Sequence, residues 1–248
     1  MIVDAHSHFS QPHSTERPYD AEMVAANPNI PFTKVVSADE MVEKMSLLGL
    51  DRIVQVTQSK MGYDNRYAIE GALRYPDKVL GVIGRFDPFA PDVENRLREY
   101  HANPVMLGVR FTLLSTKQQT WLRDETLYPF LAIAQKLDVP VQLYAPEQLA
   151  EMRTTARRFP GVRFLFDHMG IENAALHPHE QTFAHWPELI ALAKEPNIWM
   201  KISYFPEASQ ASEKYPFPMA QQRFKELYEE VGAARMIWGS NYPPVESV

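Results

Sequence analysis

The chain contains no cysteine. That excludes a disulfide framework and any thiolate-held metal centre, and it fits a reducing, cytoplasmic setting. An excess of positive charge is missing as well. With 25 Lys+Arg against 31 Asp+Glu the net charge is −6, which excludes the broad basic surface of a nucleic-acid binder. No apolar run approaches the roughly 18 residues of a membrane span, and the first residues lack the charged-then-apolar order of a secretory signal. There is no internal repeat and no low-complexity tract. What remains is a 248-residue chain, 45% hydrophobic, read as one globular domain over residues 1–248 that acts on a small molecule. Membrane and nucleic-acid partners are not expected, and a homo-oligomer is left open. Twenty prolines point to many structured loops on a rigid scaffold.

Short β-branched runs alternate with amphipathic helical patterns. Strands are expected at Ile2–His6, Arg52–Thr57, Val79–Gly84, Met106–Phe111, Val139–Tyr144, Val162–Asp167, Ile198–Ile202 and Met236–Gly239. Strand–helix alternation implies a parallel sheet. Eight strands in a chain of this length predict an α/β fold closed as a (β/α)8 TIM barrel. Ser37-Ala-Asp-Glu40 is a capping-box pattern before Met41, Met45 and Leu48, and Gly49 stops that helix. Asp64 and Asn65 are read as caps of the next helix. Further helices are expected over Asp92–Tyr100, Glu125–Leu137, Pro146–Phe159, Pro187–Lys194 and Met219–Val231. Only a short stretch follows strand 8, so a barrel lacking its last helix is expected. Phe9–Val36 and Ile171–His185 are long loops placed at the C-terminal rim, where a lid role competes with plain surface excursion.

Polar residues stand where each apolar strand runs out, and in a barrel these ends share one mouth. Strand 1 supplies His6 and His8, which lie two apart and so on one face. Strand 2 gives Gln55 and Gln58, strand 3 Arg85 and Asp87, strand 4 Arg110 and strand 5 Tyr144. Strand 6 gives Asp167-His168, strand 7 Lys201 and Ser203, and strand 8 Ser240-Asn241-Tyr242. A guanidinium at such a mouth suits bidentate capture of a carboxylate, although Arg110 could instead pair with Asp87 or Asp167. Lys201 faces the same choice between Asp167 and a substrate anion. His177 and His179 lie in a loop and are read as solvated.

The stretches Val3-Asp-Ala-His-Ser-His8, Gly108-Val-Arg-Phe111, Phe166-Asp-His-Met-Gly170 and Trp238-Gly-Ser-Asn-Tyr-Pro243 resemble those of the amidohydrolase-2 family. This is the branch of the amidohydrolase superfamily that holds 2-pyrone-4,6-dicarboxylate lactonases, related sugar-acid lactonases and carboxymuconate-semialdehyde-type decarboxylases. The resemblance implies a barrel with its site at the C-terminal mouth. It matches His6 and His8 to the strand-1 pair, His168 to the strand-6 histidine and Asn241 to a strand-8 position that is normally Asp. It also implies that Arg110 contacts substrate. Zinc-dependent decarboxylases of the family carry a strand-5 histidine ligand, whereas Tyr144 is similar to the tyrosine of the lactonases.

These residues predict a hydrolase acting on a small, carboxylate-bearing lactone or related ester. His6, His8, His168 and Asn241 are the expected catalytic group, and Arg110, Tyr144 and Lys201 the expected substrate-binding group. The amide of Asn241 cannot serve as base, which leaves a neutral histidine, His168, to take the proton. His6, His8 and His168 are the candidate ligands of one divalent metal such as zinc, and a metal-free site is the alternative. Two other functional readings stand beside this one. They are a metal-dependent decarboxylase of the same superfamily and a catalytically impaired homologue that binds a small acid.

Overall fold

The computed structural model describes residues 1–25, 35–171, 183–203 and 213–243. Eight parallel strands lie in chain order, each hydrogen-bonded to the next: β1 Val3–Ser7, β2 Arg52–Val56, β3 Val79–Arg85, β4 Met106–Thr112, β5 Val141–Tyr144, β6 Phe164–Phe166, β7 Ile198–Ile202 and β8 Met236–Trp238. The alternation read from the sequence is therefore a (β/α)8 barrel. Described helices are α1 Ala21–Ala25, α2 Ala38–Leu48, α3 Arg66–Arg74, α4 Val93–Ala102, α5 Tyr128–Lys136, α6 Leu149–Arg158, α7 Trp186–Ala193 and α8 Pro218–Val231. Helix α1 is an extra turn in the long β1–α2 connection. Among the described residues no helix follows β8, and none is long and apolar enough to cross a membrane.

The barrel closes between its first and last strands by a clasp rather than a regular ladder. Ser7 bridges Tyr242, Asn241 N–H donates to His6 O at 2.7 Å, and His8 N–H donates to Tyr242 O at 2.9 Å. Asp4 reaches across the seam and accepts from Ser240 N at 2.9 Å and from Ser240 Oγ at 2.5 Å. The approach requires glycine at 239, because a Cβ there would stand 2.4 Å from His6 Cβ and 2.7 Å from His6 N. Strand 8 can reach strand 1 only with no side chain at that place.

Local signals act as expected in α2. Ser37 Oγ accepts from Glu40 N at 3.2 Å, Glu40 Oε2 accepts from Ser37 N at 2.7 Å, and Gly49 ends the helix at φ 68°. The cap read at Asn65 is different. Its side chain donates to Arg85 O at 2.7 Å and accepts from Arg85 N at 2.8 Å, so the amide pairs with the end of β3 as a strand would. Asp64 takes the capping part, accepting from Arg66 N at 3.0 Å. Outward strand residues and inward helix faces form the core, in one cluster around β4 to β7 and a smaller one around β1 to β3. At the N-terminal end of the barrel, Val54, Leu107, Leu165, Trp199 and Ile237 line an apolar cavity of about 390 Å³, and Lys201 forms part of its wall.

Candidate active site

At the C-terminal rim three imidazoles meet. The rings of His6 and His8 lie 5.0 Å apart, those of His6 and His168 4.7 Å apart, and Tyr144 stands edge-on to His168 at 5.1 Å. All three histidines are buried. Strand geometry puts His6 on the inner face, and the chain beyond β6 turns sharply to add His168. Residues 167–170 form a short 3-10 turn in which His168 and Met169 are left-handed, at φ 53° and 56°. Such backbone costs about 1 kcal/mol per non-glycine residue and is retained where a side chain must be aimed. The same turn is why β6 stops at Phe166, one residue short of the expected Asp167. Asn241 is also left-handed, at φ 57°.

Each ring is oriented differently. His8 Nδ1 donates to Val56 O at 2.6 Å. A carbonyl only accepts, so the proton of the neutral ring sits on Nδ1 and Nε2 is left as an acceptor. Nε2 lies 3.1 Å from Asn241 Oδ1. A neutral imidazole cannot donate from both nitrogens, so the contact is satisfied with the amide turned to present Nδ2. His168 Nδ1 shares a hydrogen with Ser203 Oγ at 2.7 Å. His6 is the exception, since neither ring nitrogen has a hydrogen-bond partner.

Beneath the rings a buried polar chain crosses five strands. Lys201 donates from Nζ to Ala5 O at 2.6 Å and to Gln142 Oε1 at 3.0 Å. Gln142 Nε2 donates to Asp167 Oδ2 at 3.0 Å, and Arg110 Nε donates to the same oxygen at 2.9 Å. Asp167 Oδ1 is left facing His6 Nδ1 at 3.5 Å, without a hydrogen-bond partner. Of the pairings open to Arg110, the ion pair with Asp167 is the one present. Lys201 neither pairs with Asp167 nor faces a free anion position, because its Nζ is engaged within the barrel.

Electrostatics follow from this burial. Burial, and then the nearby charge of Lys201, push the His6 imidazole well below its usual range. Burial and the Arg110 charge lower His8 to about 4. Burial holds His168 down to about 3 in spite of the adjoining Asp167 carboxylate. Burial alone would raise Asp167, yet the Arg110 guanidinium beside it holds it well below the usual carboxylate range. Lys201 is lowered to about 8 by burial. The rim therefore carries neutral imidazoles above one anion.

One group among the described residues has the spacing of a metal site. Ligand atoms of His6, Asp167 and His168 all lie within 4.8 Å of one another. A tetrahedral ion with ligands at about 2.1 Å spaces them about 3.4 Å apart; His6 Nδ1 and Asp167 Oδ1 already stand 3.5 Å apart, and the ligand atoms as a set would draw together around the ion. The unpartnered nitrogens of His6 and the unpartnered Oδ1 of Asp167 fit such an ion. This set differs from the one expected from the sequence in one ligand. His8 is outside it, with both nitrogens engaged, and Asp167 is inside.

Sequence reading placed His6, His8, His168, Asn241, Arg110, Tyr144 and Lys201 at this mouth; the structure brings the first six to it, whereas Lys201 lies beneath, its Nζ bonded within the barrel. Tyr144 Oη donates to Ile171 O at 3.0 Å. Gln142 was not singled out, although a polar residue two before Tyr144 on an apolar strand shares its face. Asp4, the seam residue, likewise carried no assigned role. Gln55 is drawn away from the site, bonding Phe9 N at 2.9 Å and Phe9 O at 2.8 Å. His177 and His179 lie outside the described residues.

An eight-stranded barrel with buried histidines and a carboxylate at its C-terminal rim has the arrangement of a barrel enzyme's active site. A family model described as amidohydrolase matches residues 3–247, and the chain belongs to the amidohydrolase family. The L-fucono-1,5-lactonase of Burkholderia ambifaria is 25% identical over 245 residues, which are 97% of this chain and 80% of that protein. An amidohydrolase from Burkholderia multivorans, solved with bound zinc, is similar with a TM-score of 0.79 at 21% identity, over 98% of this chain and 84% of the other. A probable 2-pyrone-4,6-dicarboxylic acid hydrolase from Acinetobacter baumannii, solved with citric acid, gives 0.73 at 20% identity over 98% and 84%.

Proposed function

We propose that this hydrolase opens a small lactone bearing a carboxylate, with His6, Asp167 and His168 holding one divalent cation, zinc by donor type. The observation that carries this reading is the set of buried, unpartnered donor atoms on His6 and Asp167, facing each other beside His168. The lactonase name of the Burkholderia ambifaria relative supports the ester-opening class, and the zinc in the Burkholderia multivorans structure supports the metal. When bound, such an ion polarises a carbonyl and acidifies water.

The chain's own groups have definite tasks. Arg110 and Gln142 saturate Oδ2 of Asp167 and so turn Oδ1 toward His6. The Asn241 amide, braced against His8 Nε2 at 3.1 Å, orients the attacking water. His168 is a weak base at about 3; a general base works best with a pKa near the working pH. That argues for His168 as a ligand or carbonyl-polarising group in place of the base role expected from the sequence. Tyr144, edge-on to His168 at 5.1 Å, bounds the imidazole cluster on that side.

The test is a panel of aldonolactones and pyrone carboxylates assayed by acid release, before and after chelation and zinc restoration. Turnover that falls on chelation and returns with zinc supports the reading. Unchanged turnover after complete zinc removal would remove the metal from it, and carbon dioxide release from acids without lactone opening would replace it with decarboxylation.

A further inference from the structure

Arg85 ends β3 directly opposite Arg110 on β4. Both are buried, with Arg85 only 2% exposed, yet their environments differ. Arg110 has the Asp167 carboxylate. Arg85 has none: its one side-chain bond runs from Nη1 to Thr112 Oγ1 at 3.1 Å, and its Nε has no partner. No carboxylate among the described residues lies within 4.0 Å of its guanidinium. Asp20 influences it from farther away.

A guanidinium has five donors, and burying that charge with one hydroxyl as partner is unfavourable unless something else compensates. Burial and the neighbouring Arg110 pull it down to about 10, so it stays charged at neutral pH. Its backbone is held on both sides by the Asn65 amide, a rigid mount for an unsatisfied cation. Space exists beside it. Arg85 and Arg96, with Asp87, Glu99, Tyr63 and Tyr100, line a cavity of about 370 Å³. Asp87 in that cavity accepts from Phe89 N at 3.0 Å and lies outside ion-pair range of Arg85.

We infer that Arg85 is the receptor for the substrate's carboxylate. This rests on the lactone-opening reading above, and it moves anion recognition from Arg110 and Lys201, whose charges are used inside the barrel, to the neighbouring strand. Arg85 accepts the planar carboxylate through Nε and a terminal nitrogen, the fork geometry that suits that group, while Thr112 fixes the other arm. The reacting ester then lies toward the imidazoles, of which His6 stands on β1, two strands away from β3.

Calorimetric titration of the full chain with succinate, its neutral isostere succinamide, and inorganic phosphate tests the assignment without turnover. Succinate is expected to bind, succinamide to bind at least tenfold more weakly, and Arg85→Met to lose at least tenfold in succinate affinity while its melting temperature holds or rises. A guanidinium kept for packing would behave oppositely, with a lower melting temperature and unchanged succinate affinity, and that result overturns the proposal. Phosphate binding more tightly than succinate would overturn the carboxylate as ligand. With a carboxylated lactone, Arg85→Met should raise KM at least tenfold more than with its methyl ester, and Arg85→Lys should recover part of the loss. Wild-type protein that binds succinate through Arg85 but opens no lactone would sink the lactone reading alone.

Discussion

Asp167 and Arg110 form an ion pair at the centre of the barrel: Arg110 Nε donates to Oδ2 at 2.9 Å, while the other carboxylate oxygen keeps no hydrogen bond and faces His6. One half of the carboxylate is fixed so that the other half is available. That division sets the expected behaviour of variants around it.

Asp167→Asn removes the anion from under both Arg110 and His6. Uncovering a buried guanidinium costs about 3–5 kcal/mol. We expect a large fall in melting temperature, together with loss of zinc retained through gel filtration. Thermal melts and elemental analysis read the two effects separately. A stable, zinc-retaining variant would contradict the ligand role given to Oδ1.

Lys201→Met tests the other end of the chain. It leaves Ala5 O and Gln142 Oε1 without their donor, each a buried acceptor costing about 1–3 kcal/mol when unsatisfied. With Oε1 released, the Gln142 amide can rotate and cease donating to Asp167. The expected result is a fall in kcat with KM for the lactone within about threefold, because Lys201 does not face the substrate. A dominant rise in KM would instead return Lys201 to anion binding.

Asn241→Asp tests the seam position. A carboxylate there can take a proton that the amide cannot, so kcat on the best lactone should rise at least tenfold. No change would mean that water activation never depended on this side chain. A loss would show that the amide's N–H contact to His8 Nε2 is the productive one.

Gly239→Ala places a methyl group 2.4 Å from His6 Cβ and against the His6 backbone. Strand 8 must retreat, and overpacking of this kind costs about 1–3 kcal/mol. Activity should fall further than stability, since His6 itself is displaced. Side-by-side melts and initial rates at a temperature where the variant stays folded give the comparison.

The barrel was legible because its signals are repetitive. Eight apolar runs with helices between them leave few other topologies, and polar residues at their ends mark one rim. Strand periodicity also put His6 and His8 on one face. Three features were not legible in that way. Asn65 carries a cap-like sequence context, yet its amide pairs with Arg85 across the β2–β3 gap, a tertiary bond no local pattern encodes. Which partner Arg110 and Lys201 take depends on side-chain lengths across the barrel, so sequence left both choices open. The exchange of His8 for Asp167 in the candidate ligand set turns on one contact, between His8 Nε2 and the Asn241 amide, 233 residues apart in sequence.

The clasp of Asp4 with Ser240 has a consequence for biosynthesis. Asp4 and Ser240 stand 236 residues apart in the chain, so His6 is translated well before the residues that it meets across the seam. A polypeptide that stops before strand 8 leaves His6 and His8 without their partners across the seam until that strand arrives. Contacts of such long range make for slow assembly, so ring closure is the step at which this protein becomes competent at all.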